Sequence, residues 1–224
     1  MFERLVRIIG EDNLNKLKKS TVLVIGLGGV GGAAVEMLGR NGVENLILVD
    51  HDVVDITNKN RQLIAVDSTI NMKKTDAFYN RLKDINKNIN ITLIDKFIDK
   101  DNIGLLFDKD IDFVIDACDT ISTKILIIKE CLKRNINFIT CMGMGKKMDI
   151  SKLEVTDINK TSYDKIAKVI RKKLKEDYIT GKVPVLSSTE NPVDTDEVIG
   201  SYSPVTNAAG IYLADFAIKN IIKS

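Results

Sequence analysis

The glycine-rich segment Gly26–Gly31 contains the residues whose types and spacing most clearly suggest chemistry. It lies between an apolar stretch, Thr21 to Ile25, and a helical pattern from Val30 to Arg40. Glycines at the first, third and sixth positions suit a tight turn, the close approach of a phosphate, and contact between helix and strand. Free N–H groups at a helix N-terminus bind an anion without a cationic side chain. The segment predicts a nucleotide-binding site that includes Gly26, Gly28, Gly29 and Gly31.

An acidic residue follows the second apolar stretch of the chain. Asp50 comes directly after Asn45 to Val49, at the distance from the glycines where a carboxylate can accept hydrogen bonds from ribose hydroxyls. Glycines with one such acid are typical of NAD, FAD, SAM and ATP binders alike. This pair of features therefore predicts a nucleotide but does not choose among these four.

The segment from Asp50 to Gln62 is polar and has neither strand nor long-helix periodicity. A hydride-transfer cofactor has little use for such a segment. An ATP site does, because cleavage between the α- and β-phosphates concentrates negative charge that cations and amide donors must meet in place. The segment favours ATP.

Several motifs in this order resemble the ubiquitin-activating-enzyme-like adenylyltransferases, the ThiF/MoeB/HesA superfamily. They are GLGGVG, VDHDVVDITNKNRQ, the lysine in NMKKTDA, and DACDT. Within that superfamily, the later segments resemble the tRNA threonylcarbamoyladenosine dehydratase group (TcdA/CsdL). These segments are VTDINKTSYDKIAKVIRKKLK, SSTE and GSYSPVTNAAGIYLADFAIK, so the resemblance covers essentially the whole chain.

The resemblance implies ATP and Mg²⁺ as cofactors and assigns roles to individual residues. Asp50 would bind the ribose, and Asp52 would assist at the nucleotide or the metal. Asn58, Arg61 and Gln62 would hold the polyphosphate, with Lys74 as the phosphate lysine and Asp119 as the magnesium ligand. The implied catalytic residues are Arg61, Lys74 and Asp119. Lys73 and Asp116 are the competitors of Lys74 and Asp119, because each lies within three residues of its rival.

The implied reaction is the ATP-dependent dehydration, by cyclisation, of threonylcarbamoyladenosine next to the anticodon in tRNA, through an adenylated carboxylate. One alternative is an adenylyltransferase that activates the C-terminus of a ubiquitin-like sulfur carrier. Many such relatives carry two CxxC pairs for zinc and a loop cysteine, whereas Cys118, Cys131 and Cys141 form no CxxC pair. We expect these three cysteines to lie in strands or helices. The other alternative is a non-catalytic or dehydrogenase-type nucleotide binder, which would leave the polar segment unexplained.

The resemblance also implies partners. The substrate would be tRNA, and a sulfur-relay protein is a further candidate partner. In relatives the arginine that matches Arg61 reaches into the neighbouring subunit, so a homodimer is implied.

The net charge of +2 is too small to indicate a nucleic-acid binder. The segment from Lys160 to Lys175, however, carries seven basic residues against one acid, Asp164. A basic helix face of this kind is more often simply solvated, and with a tRNA substrate it becomes the candidate for phosphate contacts. We expect any RNA base to stack elsewhere, because no aromatic stripe accompanies the run.

The chain has 224 residues, 44% of them hydrophobic and 29% charged, which is enough for one substantial core. We therefore expect a single domain, 1–224, without a membrane partner. No apolar run approaches the roughly 18 residues needed to span a bilayer, and the N-terminus lacks a signal-peptide layout. The expected location is cytoplasmic.

Strand and helix patterns alternate through the first two thirds of the chain. This alternation predicts an α/β fold with a doubly wound, mainly parallel, Rossmann-like sheet. A few antiparallel strands are expected in the C-terminal third, where Leu153 to Ile158 alternates like an edge strand. The turn-rich segment 176–203 is expected to be a mobile or substrate-facing loop. Glu190 in that segment is a candidate participant in ring closure, with an ordinary loop acid as the equal alternative.

His51 is the chain's one histidine and lies between two acids. We predict no catalytic role for it, because neighbouring side chains on an extended segment point in opposite directions.

Overall fold

The computed structural model describes residues 1–193 and 199–223. Its strands are β1 Thr21–Ile25, β2 Asn45–Val49, β3 Asn90–Ile94, β4 Phe113–Asp116, β5 Asn137–Cys141, β6 Leu153–Asp157 and β7 Pro184–Ser188. Its α-helices are α1 Glu3–Ile9, α2 Glu11–Lys19, α3 Gly29–Arg40, α4 Lys74–Ile85, α5 Ile121–Arg134, α6 Lys165–Glu176 and α7 Ser203–Lys223. Gly10 separates α1 from α2.

The seven strands form one sheet in the order β3-β2-β1-β4-β5-β7-β6. In this order, each two neighbouring strands from β3 through β7 are parallel. Strand β6, at the edge, pairs antiparallel with β7. The expectation of a mainly parallel, doubly wound sheet with an antiparallel element near the end is confirmed. Because the chain leaves β1 toward one edge and β4 toward the other, a crevice opens at the carboxyl ends of these two strands.

Helices cover both faces of the sheet, and each face has its own apolar cluster. On one face, α3, α4 and α7 contribute Leu38, Phe78 and Leu213. On the other face, α5 and α6 contribute Ile127 and Ile170. The central strands are buried on both sides, which explains why they are continuous apolar runs without alternation.

The segment 176–203 contains β7, so the expectation of a loop throughout it is wrong for these residues. Four of the five β7 residues are buried, and the strand pairs with β5 on one side and β6 on the other. Pro184 is its first residue, a position where the missing N–H is tolerated. Prolines and glycines on both sides of this short strand concealed it, because its partners are distant in sequence. Residues 194–198 of the segment lie outside the described residues.

Helix α6 begins at Lys165. The Asp164 carboxylate accepts a hydrogen bond from the Ala167 N–H at 2.8 Å and so caps the helix. Its other oxygen accepts from the Gly143 N–H at 3.0 Å, which ties the start of α6 to the carboxyl end of β5.

Candidate nucleotide-binding site

The turn from β1 into α3 has the backbone geometry that the glycines predict. Gly26 has φ +85°, and a Cβ atom there would lie 2.7 Å from the Ala117 carbonyl oxygen. A Cβ on Gly31 would overlap the Gly26 carbonyl oxygen, so this glycine permits the contact between helix and strand. A Cβ on Gly28 would meet only the Gln62 Nε2 atom, at the ordinary contact distance of 3.8 Å, and would border the crevice. Gly28 is the N-cap of α3 and offers no side-chain cap, which leaves the first N–H groups of the helix available to an anion.

Asp50 connects the glycine turn to the end of β2. One oxygen of its buried carboxylate accepts from the Leu27 N–H at 2.6 Å, and the other accepts from the Asp52 N–H at 2.8 Å. Asp50 therefore fixes the turn while its remaining lone pairs line the crevice. The second bond also turns the chain at Asp50, so residues 50–52 are not an extended strand.

Lys74, and not Lys73, faces the crevice. Its ammonium lies 2.6 Å from an Asp52 carboxylate oxygen and 4.0 Å from one of Asp50, with its side chain 7% exposed. Lys73 turns outward and forms an ion pair with Asp95; that hydrogen bond raises the pKa of Lys73. The structure thus separates two lysines that sequence alone could confuse.

The polar segment after β2 wraps around the mouth of the crevice. Asn58 is buried and its side-chain oxygen accepts from the Asp55 N–H at 3.1 Å. The Arg61 guanidinium donates to the Thr57 carbonyl at 3.0 Å, while the Arg61 carbonyl accepts from Asn207 of α7 at 3.1 Å. Both Asn58 and Arg61 line the crevice of their own chain.

Gln62 carries an unsatisfied acceptor at the crevice. The residue is 7% exposed, and its Oε1 atom has no hydrogen-bond partner among the described residues. A buried polar atom without a partner costs about 1–3 kcal/mol. A ligand group that donates a hydrogen bond, such as a ribose hydroxyl, would satisfy this oxygen, whereas a phosphate oxygen only accepts and would bond to the Gln62 amide N–H groups instead.

The end of β4 separates two aspartates. Asp116 is fully buried and lies 3.0 Å from the Lys124 ammonium, and it also accepts from the Thr140 hydroxyl. Asp119 is exposed and lines the crevice. Burial is the largest effect on Lys124 and lowers its pKa, but the charge of Asp116, the neighbouring Cys118 and Cys141, and the hydrogen bond to Asp116 together leave that pKa raised, which favours the charged ammonium. Of the two aspartates, Asp119 is the one available to a ligand.

Cys118 lies in the loop after β4 and lines the crevice, contrary to the expectation that the cysteines occupy strands or helices. Burial, followed by the charge of Asp116, raises the pKa of its thiol well above the ordinary value. Cys131 in α5 and Cys141 in β5 do match the expectation, and burial raises each pKa to about 12. A thiol that stays protonated is a weak nucleophile.

His51 also lines the crevice, so the expectation that it points away is wrong. Its Nε2 lies 3.4 Å from an Asp52 carboxylate oxygen, and its ring meets Phe97 edge-on with centroids 5.1 Å apart. The argument from alternation fails because the chain turns at Asp50.

Sequence reasoning also missed Lys96, Phe97 and Thr206, which reach the crevice from the loop after β3 and from α7. These three carry no local motif.

Glu190 lies outside the crevice. Its carboxylate accepts hydrogen bonds from the N–H groups of Met148 at 3.0 Å and Asp149 at 2.9 Å, and its carbonyl accepts from Lys147. The contacts indicate that it holds the loop after β5. Of its two interpretations, the geometry favours the structural one.

The crevice has a volume of about 330 Å³ and gathers nearly all the residues that the sequence singles out. Those that line it are Gly26, Gly28, Gly29, Asp50, Asp52, Asn58, Arg61, Gln62, Lys74 and Asp119. Gly31 is not among them, because it lies beneath the turn. The lining combines a helix N-terminus, cationic groups and carboxylates, which together suit a nucleotide polyphosphate with a divalent cation.

The fold and crevice define a Rossmann-like nucleotide-binding protein. The ThiF family model matches residues 2–224, and the chain belongs to the ThiF family. It is 45% identical over 192 residues to the tRNA threonylcarbamoyladenosine dehydratase of Bacillus subtilis, covering 86% of this chain and 76% of that protein. It is also similar to a crystal structure of the Escherichia coli tRNA N6-threonylcarbamoyladenosine dehydratase, TcdA, in complex with ATP. The TM-score is 0.95 and the identity 31%, with 99% of this chain and 93% of that chain covered.

A more distant relative is the molybdopterin-synthase adenylyltransferase of Haemophilus influenzae. It is 29% identical over 167 residues, covering 75% of this chain and 68% of that protein. Within the described part of the chain, every helix is too short or too polar to cross a membrane.

Proposed function

We propose that this protein is an ATP-dependent tRNA threonylcarbamoyladenosine dehydratase. The observation that carries the proposal is the convergence on one crevice of the open N-terminus of α3, Arg61, Gln62 and Lys74. The chain that forms this crevice is 45% identical to a dehydratase of that name. The proposal also takes residues 1–224 as a single domain.

In this proposal, each crevice residue binds a particular part of the nucleotide. Asp50 binds the ribose, and the N–H groups from Gly28 onward bind phosphate oxygens. Asn58, Arg61 and Gln62 hold the polyphosphate. Lys74 moves from its ion pair with Asp52, at 2.6 Å in this structure, to the phosphates. Charge-assisted bonds of this kind are worth about 1.5–3 kcal/mol each.

Mg²⁺ fits the same carboxylates. Asp119 offers an exposed carboxylate at the crevice, and Asp52 offers a second, half-exposed one. One or two carboxylates together with phosphate oxygens are the usual ligands of Mg²⁺. When bound, the ion neutralises the charge that develops on pyrophosphate.

The reaction has two steps. A carboxylate oxygen of the threonyl group forms a bond to the α-phosphorus of ATP while the bond between the α-phosphorus and the bridging oxygen breaks, and pyrophosphate leaves. A neighbouring atom of the same modification then attacks the activated carbonyl, AMP leaves, a proton is lost and the ring closes. Because both groups belong to one nucleoside, the effective molarity can be on the order of 10⁵ M or more, and no enzyme thiol is required.

The rival functions fit the crevice less well. A sulfur-carrier adenylyltransferase of the type with a loop cysteine finds no cysteine in 176–203 and a raised thiol pKa at Cys118. In a dehydrogenase, Lys74 and Arg61 would have no triphosphate to bind. The proposal also includes a homodimer and a sulfur-relay partner. It includes a cytoplasmic location as well, because tRNA modification takes place where tRNA is.

The deciding experiment measures ATP consumption with tRNA that carries threonylcarbamoyladenosine and with the same tRNA unmodified. We expect AMP and pyrophosphate only with the modified tRNA, and mass analysis of the nucleoside should show the loss of one water. Turnover that depends on a small carrier protein and ignores tRNA would instead support the adenylyltransferase. Tight binding of NAD without use of ATP would refute both.

A further inference from the structure

Helix α6 presents a stripe of lysines on its solvent side. Lys165, Lys168, Lys172 and Lys175 are all exposed, and their spacing places them within about 80° of the helix circumference over about 15 Å. Ala167, Ile170 and Leu174 are buried on the opposite side. We call these four residues the lysine stripe.

Few acids neutralise the lysine stripe. Among the described residues, Lys165, Lys168 and Lys175 have no carboxylate partner, and Lys172 lies 3.8 Å from Glu176. The neighbouring cations are engaged elsewhere: Lys173 pairs with Asp177 at 3.1 Å, and Arg171 donates to the Ile158 carbonyl at 2.8 Å. The stripe is therefore a concentrated positive charge in a chain whose net charge is only +2.

Exposed tyrosines flank α6 at both ends, although no aromatic stripe runs along the helix itself. Tyr163 is 63% exposed and Tyr178 is 91% exposed. Both have a positive φ, 52° and 54°, a conformation that bulky residues rarely adopt. Tyr178 also borders a groove of about 640 Å³ that Lys168, Arg171 and Lys175 line. Lysines together with exposed aromatic rings are the usual components of an RNA-binding surface.

The stripe begins near the nucleotide crevice. The bond between Asp164 and the Gly143 N–H places the start of α6 at the carboxyl end of β5. Strand β5 is the neighbour of β4, whose following loop lines the crevice. Neighbouring strands lie about 4.8 Å apart, so the start of the stripe and the crevice share one edge of the sheet.

We infer that the lysine stripe binds the phosphate backbone of the tRNA, with Tyr178 stacking against an unpaired base in the adjoining groove. This inference rests on the proposed function, because it takes tRNA as the substrate. An acidic protein would match the charge but would leave the two exposed tyrosines unexplained. RNA accounts for both features.

The test compares two variants with the same change in net charge. The stripe variant is K165Q/K168Q/K172Q/K175Q, and the matched control is K19Q/K87Q/K109Q/K223Q, whose exposed lysines lie on other elements of the fold, away from α6 and its groove. Binding of modified tRNA is measured between about 50 and 200 mM KCl. For the stripe variant we expect the Kd to rise about tenfold or more, and the slope of log K against log salt to become shallower by about 2–3. The control variant should have the same Kd and the same salt slope as wild type.

A second pair of variants tests the stacking. Tyr178→Ala should weaken tRNA binding about fivefold or more without changing the salt slope, while Tyr178→Phe should bind like wild type. In turnover, the stripe variant should have a raised KM for tRNA, a kcat near that of wild type and unchanged ATP affinity.

The outcomes separate the inference from the proposed function. If wild type dehydrates modified tRNA and the stripe variant binds tRNA like the control, the inference is overturned and the function stands. If wild type binds tRNA through the stripe but produces no dehydrated nucleoside, the proposed function fails and the binding surface stands. If wild type does not bind tRNA, both fall.

Discussion

At the scale of single residues, chemistry depends on which of two neighbours faces the crevice. Lys73 and Lys74 are adjacent and identical in type, yet one pairs with Asp95 on the outside and the other with Asp52 inside. The difference follows from their positions: Lys73 is the N-cap of α4, and Lys74 is its first helical residue. A change of one position along the backbone moves the charge into or out of the site.

This pair provides a direct test of the phosphate role. Lys74→Gln should lower the rate of adenylation by about 10²–10³-fold, the usual cost of removing one donor that stabilises transition-state charge. Lys73→Gln, the matched control, should change it less than about twofold. Rates of AMP formation check both, with melting temperatures to confirm that each variant is folded. Equal effects of the two changes would contradict the assignment.

Cys118 provides a second test at this scale. Because burial and then Asp116 raise the pKa of its thiol, the thiolate fraction is very small at neutral pH and grows only as the pH rises toward that pKa. We expect alkylation by iodoacetamide to be slow at pH 7 and to accelerate in alkaline solution. Cys118→Ser should retain turnover. Complete loss of turnover with intact folding would revive a thioester mechanism.

At the scale of elements, the turn between β1 and α3 assigns a different task to each glycine. Gly31 permits close packing, because a Cβ there would overlap the Gly26 carbonyl oxygen, whereas Gly28 borders open crevice. The first is needed for the fold and the second for the ligand. These are the two tasks that the spacing of the glycines predicts.

Two alanine substitutions should separate these tasks. Gly31→Ala should destabilise the protein by about 1–3 kcal/mol, the range for overpacking. Gly28→Ala should leave the free energy of unfolding nearly unchanged but weaken ATP binding, because its methyl group would occupy the approach of the phosphate. Urea denaturation and ATP titration measure the two effects. Gly104→Ala, where a Cβ meets nothing, is the neutral control.

A buried ion pair, which no sequence motif predicts, links β4 to α5. Lys124 and Asp116 are 1% and 0% exposed and 3.0 Å apart. Lys124→Met should destabilise the protein by about 3–5 kcal/mol, because it leaves a buried carboxylate without its cation. Lys129→Met, which breaks a more accessible pair with Asp177, should cost about 1 kcal/mol or less. Similar costs in urea denaturation would show that Asp116 is neutral in the fold.

At the scale of the whole molecule, the placement of Arg61 determines how subunits would cooperate. The resemblance implies an arginine that reaches into a neighbouring subunit. Here Arg61 lines the crevice of its own chain, and its carbonyl is held by Asn207 of that chain. The homodimer remains a prediction, and the geometry favours an Arg61 that serves its own site.

Mixing two inactive variants tests this. If Arg61 serves its own chain, combining Arg61→Ala with Lys74→Gln should restore no turnover. If it served the neighbour, each mixed dimer would regain one intact site. Sedimentation should give a mass about twice that of the 24.9 kDa chain, and co-purification of two differently tagged variants after mixing would show that mixed dimers form. A strictly monomeric protein would refute the homodimer.

The sequence by itself determined the glycine turn, the acid after β2, the polar segment and the doubly wound sheet. These features depend on local backbone geometry and on hydrophobic periodicity, which are read within a few residues. The resemblance already named Lys74 and Asp119, and the tertiary structure shows that these two residues line the crevice while Lys73 and Asp116 do not; only the tertiary structure revealed β7 and the inward position of His51. These depend on contacts between segments far apart in the chain, and such contacts leave no periodic signal along the sequence.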